Sequence, residues 1–548
     1  MILYGSLKNN VFEFSNDKNC YKKDEITIAI DGDVNSFNFN NIFELYKKFS
    51  CHFVDYLEDF VSVILYDENK KELLLVNDRM GLKAIYYHVA SNGDVFFAND
   101  VNALMQHYPI QKEINIDCLS MYFRYHCIPA PQTIYKNVKK IKNGHLIKIN
   151  QAKQITNICY WNMYKIYNYY KKDLIKNPSE ITKQIEEKLK HDCKKYLGDN
   201  KTGLYVSGGI DSSLLAALLS EISDTKINTF SIGFDDLKHN EADRAKKIAN
   251  FLGTNHHEFY LNDNNAVSFI KKMPDYYTEP LGDASQVATV ALNELAKSEG
   301  IKIAFTGDGA DQLFCGAEIY DFLYEMQKLR KFVNPLGLQF KCKFLKKRRK
   351  LFSTFYRFKK ELLDQCDILY KEQLSFNGFF NDCGQRYYDY EKEIKTKNLQ
   401  EKRMLVDLNS FMPDRVVTKM RCAAINNNIE IRSPFLAKEF IAFTFKIPHK
   451  YKYYKKQKKY ILKNTLFRFI PKQFYDNTKH GFSIPAGKWL KTILNNDLKR
   501  VSSQEFITKQ NIFKFEQLQQ ILSNIDQNSS IVWDFYMFQL WYEKYILA

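Results

Sequence analysis

Tyr205-Val206-Ser207-Gly208-Gly209-Ile210-Asp211-Ser212-Ser213 runs directly into Leu214-Leu215-Ala216-Ala217-Leu218-Leu219. An aliphatic run from Gly203 to Val206 meets two glycines and then an apolar helical pattern, which predicts a buried strand, a tight turn and a helix. Such a turn suits phosphate. Gly208 and Gly209 let backbone N–H groups approach an anion without Cβ interference, and the helix starting near Ser212 adds its positive dipole end and the hydroxyls of Ser212 and Ser213. The loop lacks the Lys of the pattern G-x-x-x-x-G-K-S/T, so γ-phosphate transfer is not implied. Asp211 would be repelled by a polyphosphate unless a metal ion bridges them, and it therefore predicts Mg²⁺. A lone Ser-Gly-Gly is explained as well by a serine-rich helix cap. The full string, placed between strand and helix, favours a pyrophosphate loop.

Around this loop, amphipathic helices alternate with buried strands from Ser179 onward. The pattern predicts helices at 179–197, 212–221, 240–252 and about 285–299, and strands at 203–206, 226–232, 256–260 and Lys302 to Phe305. Alternation of this kind predicts a parallel, doubly wound sheet, which carries its ligands where strands end. Three such ends are legible: Ser207 to Ser213, Ser231 to Asp235, and Thr306-Gly307-Asp308-Gly309-Ala310-Asp311. Ends of this type lie beside one another, so Asp211 and Asp311 are expected to share one Mg²⁺. Beyond residue 317 the pattern is almost wholly helical.

Residues 1 to about 165 read differently. Short strand-like runs at Ile26–Ile30, Val61–Tyr66, Leu73–Val76, Ala84–Tyr87 and Val95–Ala98 are separated by turn material such as Ser91-Asn92-Gly93-Asp94. Helical patterns near Ile42–Phe49, Val101–Gln106 and Asp117–Tyr125 complete an α+β unit rich in antiparallel sheet. At 548 residues the chain exceeds one ordinary core, and two units, 1–165 and 175–548, are expected.

The formal net charge is +17, but lysines are spread along the whole chain among Asn, Tyr and Ile. Only Lys341 to Lys350 forms a basic cluster, which reads as a solvated helix face, so nucleic acid is not the expected partner. The longest apolar runs fall short of a membrane span and no basic-then-apolar leader opens the chain, so a soluble, cytoplasmic protein is expected. Eleven cysteines without any C-x-x-C spacing suggest neither a zinc site nor a redox pair.

Taken together, the strand ends resemble those of the asparagine synthetase superfamily. The signature loop resembles Ser207 to Ser213, and the family's adenine-side strand resembles Phe230-Ser231-Ile232-Gly233. Its later turn, usually Ser-Gly-Asp/Glu-Gly-x-Asp-Glu-x-Phe-x-Gly, resembles Thr306 to Gly316. Similar stretches include Leu252 to Glu258, Glu279-Pro280-Leu281-Gly282-Asp283-Ala284-Ser285, Glu430-Ile431-Arg432-Ser433-Pro434-Phe435-Leu436, Lys459 to Lys463, and Lys479 to Pro485. The resemblance implies ATP-dependent carboxylate activation. A carboxylate attacks the α-phosphorus, pyrophosphate leaves, and an amine displaces AMP from the acyl-adenylate.

In that frame Ser207, Gly208, Gly209, Asp211, Ser212, Ser213, Ile232, Thr306 and Gly307 would contact ATP and pyrophosphate, and Asp211 and Asp311 would hold Mg²⁺. Lys459 resembles the family lysine that neutralises phosphate charge. Only its register against Tyr460-Ile461-Leu462 separates it from Lys455, Lys456 and Lys458. Asp308 stands where asparagine synthetases carry a carboxylate able to take a proton from the attacking amine, whereas β-lactam-forming relatives usually carry Tyr. Arg421 stands where the family usually has Asp, which puts strict aspartate specificity in doubt, although Lys419, Glu430 and Arg432 are retained.

The amino-terminal unit resembles an N-terminal-nucleophile glutaminase through Asn77 to Lys83, Phe96 to Val101, Ile128 to Ile134, and Gly144-His145 with Tyr160-Trp161. The family's chemistry needs a cysteine at residue one. Here Met1 is followed by Ile2, Cys20 lacks the following Gly-Ile, residues 8–25 contain no Arg, and Asp31-Gly32-Asp33 replaces Asn-Gly-Glu. The expected glutaminase nucleophile is therefore none.

The sequence thus predicts an α/β chain: a degenerate glutaminase-like sandwich followed by an ATP-pyrophosphatase unit with a helical C-terminal part. The expected activity is an AMP-forming amide ligase using ATP and Mg²⁺, a small-molecule carboxylate, and ammonia or an amine, with a separate partner glutaminase or a homodimer left open. Alternatives are a conventional glutamine-hydrolysing asparagine synthase, a specialised relative such as a lasso-peptide cyclase or β-lactam synthetase, and a non-catalytic or RNA-binding scaffold.

Overall fold

The computed structural model describes residues 3–9, 11–15, 20–32, 38–57, 60–197, 201–235, 241–333, 393–475 and 484–548. Met1-Ile2, Asp33, the basic cluster Lys341–Lys350 and the stretch Lys479–Ser483 lie outside them. The first half is built from two antiparallel sheets. One is ordered β2-β1-β8-β7-β9, from β1 (Tyr4–Lys8), β2 (Val11–Phe14), β7 (Tyr86–Val89), β8 (Val95–Ala98) and β9 (Lys139–Lys140). The other is ordered β11-β10-β6-β5-β4-β3, from β3 (Cys20–Lys23), β4 (Ile26–Asp31), β5 (Ser62–Asp67), β6 (Glu72–Val76), β10 (His145–Ile149) and β11 (Ile155–Cys159).

Strand periodicity explains why the two sheets stack. On β5, Val63 and Leu65 pack with Ile42, Phe43 and Tyr46 of helix Phe39–Phe49, while Ile64 and Tyr66 point the other way, into a core shared with Leu7 and Phe97 of the first sheet. Successive side chains of a strand face opposite sides, so a fully apolar strand is buried twice. The opposite face of the first sheet, through Tyr86, Phe96 and Ala98, joins helices Val101–His107 and Ile116–Tyr125 in the main core. The layers therefore run helix, sheet, sheet, helix.

The second half carries a five-stranded parallel sheet ordered β14-β13-β12-β15-β16, from β12 (Thr202–Tyr205), β13 (Asn228–Phe234), β14 (Asn255–Leu261), β15 (Ile303–Phe305) and β16 (Glu430–Arg432). After β12 the chain adds β13 and β14 on one side and β15 and β16 on the other. The strand order reverses at β12/β15, where doubly wound sheets open a crevice. Helix Ile210–Ile222 follows β12, and its Leu214, Leu215, Leu218 and Leu219 are fully buried.

The expected helices at 179–197, 240–252 and 285–299 correspond to Pro178–Tyr196, Ala242–Leu252 and Gln286–Ser298. As expected, the described residues beyond 317 are mostly helical, with three short strands set among the helices. β16 completes the parallel sheet, and β17 (Tyr453–Tyr454) pairs with β18 (Gln457–Lys458) in a hairpin. Helix Ile525–Tyr542 returns to the first half, where Tyr122 Oη donates to the Asp534 carbonyl (2.8 Å) and His126 Nδ1 meets the Asp534 carboxylate (2.9 Å). Among the described residues no helix is long and apolar enough to cross a membrane.

Candidate active site

A cavity of about 290 Å³ opens at the β12/β15 switch point. Ser207, Asp211, Ser212, Ile232, Thr306, Gly307, Asp308 and Asp311 all line it. Gly208 and Gly209 form the turn behind Ser207, and Ser213 is fully buried in the first turn of the helix. The loop is held by its own hydroxyls: the Ser207 amide donates to Ser212 Oγ (3.2 Å) and the Gly209 amide to Ser207 Oγ (3.3 Å). Gly208 adopts φ +69°, and a Cβ there would stand 3.0 Å from the Ala245 amide nitrogen and 3.1 Å from Arg244 Cβ. Only glycine satisfies both the conformation and the space.

Lys459 is the residue that composition could not single out and the structure does. The hairpin turn places Lys455 and Lys456 at positive φ, and Lys459 follows at φ +55° with its amide donating to the Phe314 carbonyl (3.2 Å). Its neighbours turn outward: Lys456 pairs with Glu325 (2.7 Å) and Lys458 with Asp321 (3.0 Å). Lys459 turns inward, 6% exposed, with Nζ 2.5 Å from Asp211 Oδ2 and 2.7 Å from Asp311 Oδ1. Burial alone would lower its pKa, but the Asp211 and Asp311 carboxylates raise it, so the ammonium stays charged. Gly316 makes room for this pair. A Cβ there would fall 1.9 Å from Asp311 Oδ1 and 2.1 Å from Lys459 Cε.

Asp211 and Asp311 were expected to meet over a metal, and in the structure they meet over this ammonium. The described residues contain no cluster of three or more His, Cys, Asp or Glu side chains arranged for a metal ion. A pair of carboxylates on neighbouring loops still matches Mg²⁺, which takes one or two protein carboxylates and completes its shell with phosphate oxygens and water.

In the same cavity, Asp308 Oδ2 accepts from Thr306 Oγ1 (2.9 Å), and the Asp308 carbonyl accepts from Ser433 Oγ (2.6 Å). Burial raises its pKa above the ordinary carboxylate value, opposed by Lys419 and the Thr306 hydroxyl. A carboxylate so placed is a competent proton acceptor. Lys419 also lines the cavity, held by Ser285 Oγ (2.6 Å) and Asp283 Oδ2 (3.4 Å). Arg415 Nε donates to the same Asp283 oxygen (2.9 Å). Asp283 is held far below the usual carboxylate range: burial would raise it, and Lys419 and Arg415 overcome that.

Asp283 and Ser285 stand in a family-like stretch that gives them no role, and Arg415 stands in none of the motifs. Their signal is three-dimensional, since 132 positions separate Asp283 from Arg415. Arg421 is directed away from the cavity, into the first half, with Nη2 3.4 Å from Tyr86 Oη and Nη1 3.5 Å from the Asn99 carbonyl. The structure therefore gives Arg421 no direct contact with an acyl group in the cavity.

In the first half, Leu3 is clasped by Asn99 through both backbone groups (2.8 and 3.0 Å), and Asn99 Nδ2 donates to Asp31 Oδ2 (2.8 Å). Cys20 sits on the edge strand β3 opposite Ala29.

Residues 184–543 match the family model described as Asparagine synthase, and residues 9–161 match a model described as Glutamine amidotransferase domain. The chain is similar to asparagine synthetase (glutamine-hydrolyzing) 1 of Bacillus subtilis strain 168, 24% identical over 519 residues that cover 91% of this chain and 79% of that protein. It is also similar to putative asparagine synthetase (glutamine-hydrolyzing) 2 of Methanocaldococcus jannaschii, 30% identical over 307 residues, 54% of this chain and 57% of that protein. Amidase chry2 of Gibberella zeae is 26% identical over 294 residues, 51% of this chain and 43% of that protein.

Proposed function

This chain belongs to the asparagine synthase family of ATP-dependent enzymes that form carbon–nitrogen bonds, and on that premise we propose an AMP- and pyrophosphate-forming amide ligase without glutaminase activity of its own. The observation that carries this reading is the convergence of Lys459 on Asp211 and Asp311, two carboxylates of a cavity that Asp308 also lines. Residues 1–165 form the glutaminase-like part of this scheme and 175–548 the synthetase part.

Backbone N–H groups and hydroxyls of Ser207 to Ser213 take the departing pyrophosphate, Ile232 packs against the base, and Thr306 and Gly307 floor the nucleotide. Asp211 and Asp311 would hold Mg²⁺, which when bound supplies positive charge to the phosphate oxygens. Lys459 balances the charge that builds as the carboxylate oxygen bonds to the α-phosphorus and the bond to pyrophosphate breaks. Lys419, fixed by Ser285 and Asp283, orients the acyl group. Ammonia or an amine then attacks the acyl carbon, AMP leaves with the bonding pair, and Asp308 takes the amine's proton.

Aspartate is the first acid to test. The decisive measurement is carboxylate-dependent exchange of labelled pyrophosphate into ATP across a panel of acids, with Asp211→Ala as control. Exchange with at least one acid that Asp211→Ala abolishes is the expected result. Its absence with every acid would leave the scaffold reading standing.

The nitrogen source is proposed to be free ammonia, a substrate amine or a partner glutaminase. This is supported by Asp31, which stands at a glutamine-pocket position and is engaged by Asn99 and Lys83, and by the absence of Arg from residues 8–25. Release of glutamate from glutamine by the purified chain would overturn it and favour conventional glutamine-dependent synthesis.

A further inference from the structure

We propose that Lys83, in the glutaminase-like half, is a positioning residue for Asp308, so that this half serves the ligase site as a clamp. The inference rests on the ligase reading of Asp308.

The geometry is a continuous chain of polar contacts across the junction of the two halves. Asp31 closes β4, and its Oδ2 accepts from Asn99 (2.8 Å) while its Oδ1 lies 3.5 Å from Lys83 Nζ. Lys83 Nζ lies 3.5 Å from Glu430 Oε1, which lies 2.7 Å from Arg432 Nη2. Glu430 and Arg432 are the two ends of β16, the last strand of the parallel sheet. The Arg432 guanidinium is 1% exposed and sits 4.2 Å above the Tyr196 ring.

From β16 the contacts pass straight into the proposed catalytic loop. The Thr306 amide donates to the Arg432 carbonyl (2.9 Å), and Ser433 Oγ donates to the Asp308 carbonyl (2.6 Å). A three-residue edge strand has few ladder bonds of its own. On this reading the ion pair from the other half helps to fix its position, and with it the backbone on which Asp308 stands.

Lys83 touches no proposed substrate group, so its effect on turnover would be indirect. Holding a reacting group in place matters disproportionately, because a displacement of about 1 Å can cost about 10²-fold in rate. The arrangement also gives the glutaminase-like half a use that does not depend on hydrolysing glutamine.

Hydrogen exchange on the full chain tests this directly, using Lys83→Met, the conservative Lys83→Arg, and Asp31→Asn as a milder variant should Lys83→Met fail to fold. Exchange over residues 303–313 is expected to accelerate about tenfold in Lys83→Met and less in Asp31→Asn, while residues 228–234 of β13 stay as in the parent. Lys83→Arg is expected to restore protection. In steady state, kcat for amide formation falls about tenfold in Lys83→Met with KM for ATP within about twofold of the parent.

Unchanged exchange at 303–313, equal acceleration at 228–234, or failure of Lys83→Arg to rescue would each overturn the proposal. A parent chain that exchanges no pyrophosphate with any acid would defeat the ligase reading alone. The hydrogen-exchange result would then still decide whether Lys83 holds the loop.

Discussion

Lys459 and Lys83 each lie between two carboxylates supplied by different elements. Lys459 meets Asp211 and Asp311, both of which line the cavity, at 2.5 and 2.7 Å, whereas Lys83 stands 3.5 Å from both Asp31 and Glu430 at the seam between the halves. In both cases burial would lower the lysine pKa and the paired carboxylates raise it. A lysine raised in this way contributes its stabilisation fully below its unfolded pKa of about 10.4 and loses it only as pH rises through the higher folded value. Both pairs are therefore intact at neutral pH. What differs is the setting: Asp211 and Asp311 line the cavity where phosphate is proposed to arrive, whereas Lys83, Asp31 and Glu430 line no part of it and tie one half to the other. The same three charges can serve as a site or as a joint.

Substituting the two lysines is the strongest way to break this contrast. Lys459→Met is expected to reduce pyrophosphate exchange about 10²–10³-fold, the usual loss when a preorganised charge-stabilising group is removed. Lys83→Met, acting through Asp308, should leave pyrophosphate exchange near the parent value and lower only kcat for amide formation, about tenfold. Equal losses measured in parallel would erase the distinction between site and joint.

Asp308→Asn separates the two half-reactions. Amide formation should fall about 10²-fold while pyrophosphate exchange remains near the parent value. Because burial raises the Asp308 pKa, the rate of amide formation should fall on the acid side at a pH above the ordinary carboxylate range, since a protonated acid cannot accept the amine's proton. Loss of that acid limb in Asp308→Asn, read from a pH–rate profile, is the check.

Gly316→Ala is expected to destabilise the fold by about 1–3 kcal/mol in denaturant titration, because the added Cβ overlaps the Asp311–Lys459 pair. An unperturbed variant would mean that Lys459 yields easily. At the small end, Lys456→Ala removes an exposed pair with Glu325 and should leave melting temperature and exchange unchanged.

The parallel sheet was legible because its signals are local. An apolar run followed by Ser207-Gly208-Gly209 predicts strand 203–206 and helix 212–221, and the structure has Thr202–Tyr205 and Ile210–Ile222. β2 and β3 were not legible, since both are short and carry exposed or half-buried residues. β16 was missed for a different reason. Three residues between helices become a strand only through pairing with β15, so the information lies in the partner.

At the site, the residue types of the two loops were readable, but their shared cavity and the inward turn of Lys459 depend on a hairpin and on Gly316. The Asp283–Arg415–Lys419–Ser285 group has no local motif at all. Arg421 shows the converse failure, because a change of residue type at a familiar position said nothing about which way the side chain points.

The late entry of β16 also sets an order in time. Asp308 and the Ser433 hydroxyl that holds it are 125 positions apart. At the usual pace of synthesis, about 5–20 residues per second, roughly 6–25 s pass on the ribosome between making one and making the other. Through that interval the nascent chain carries the loop without its last strand, and a carboxylate that has been translated has yet to acquire its address.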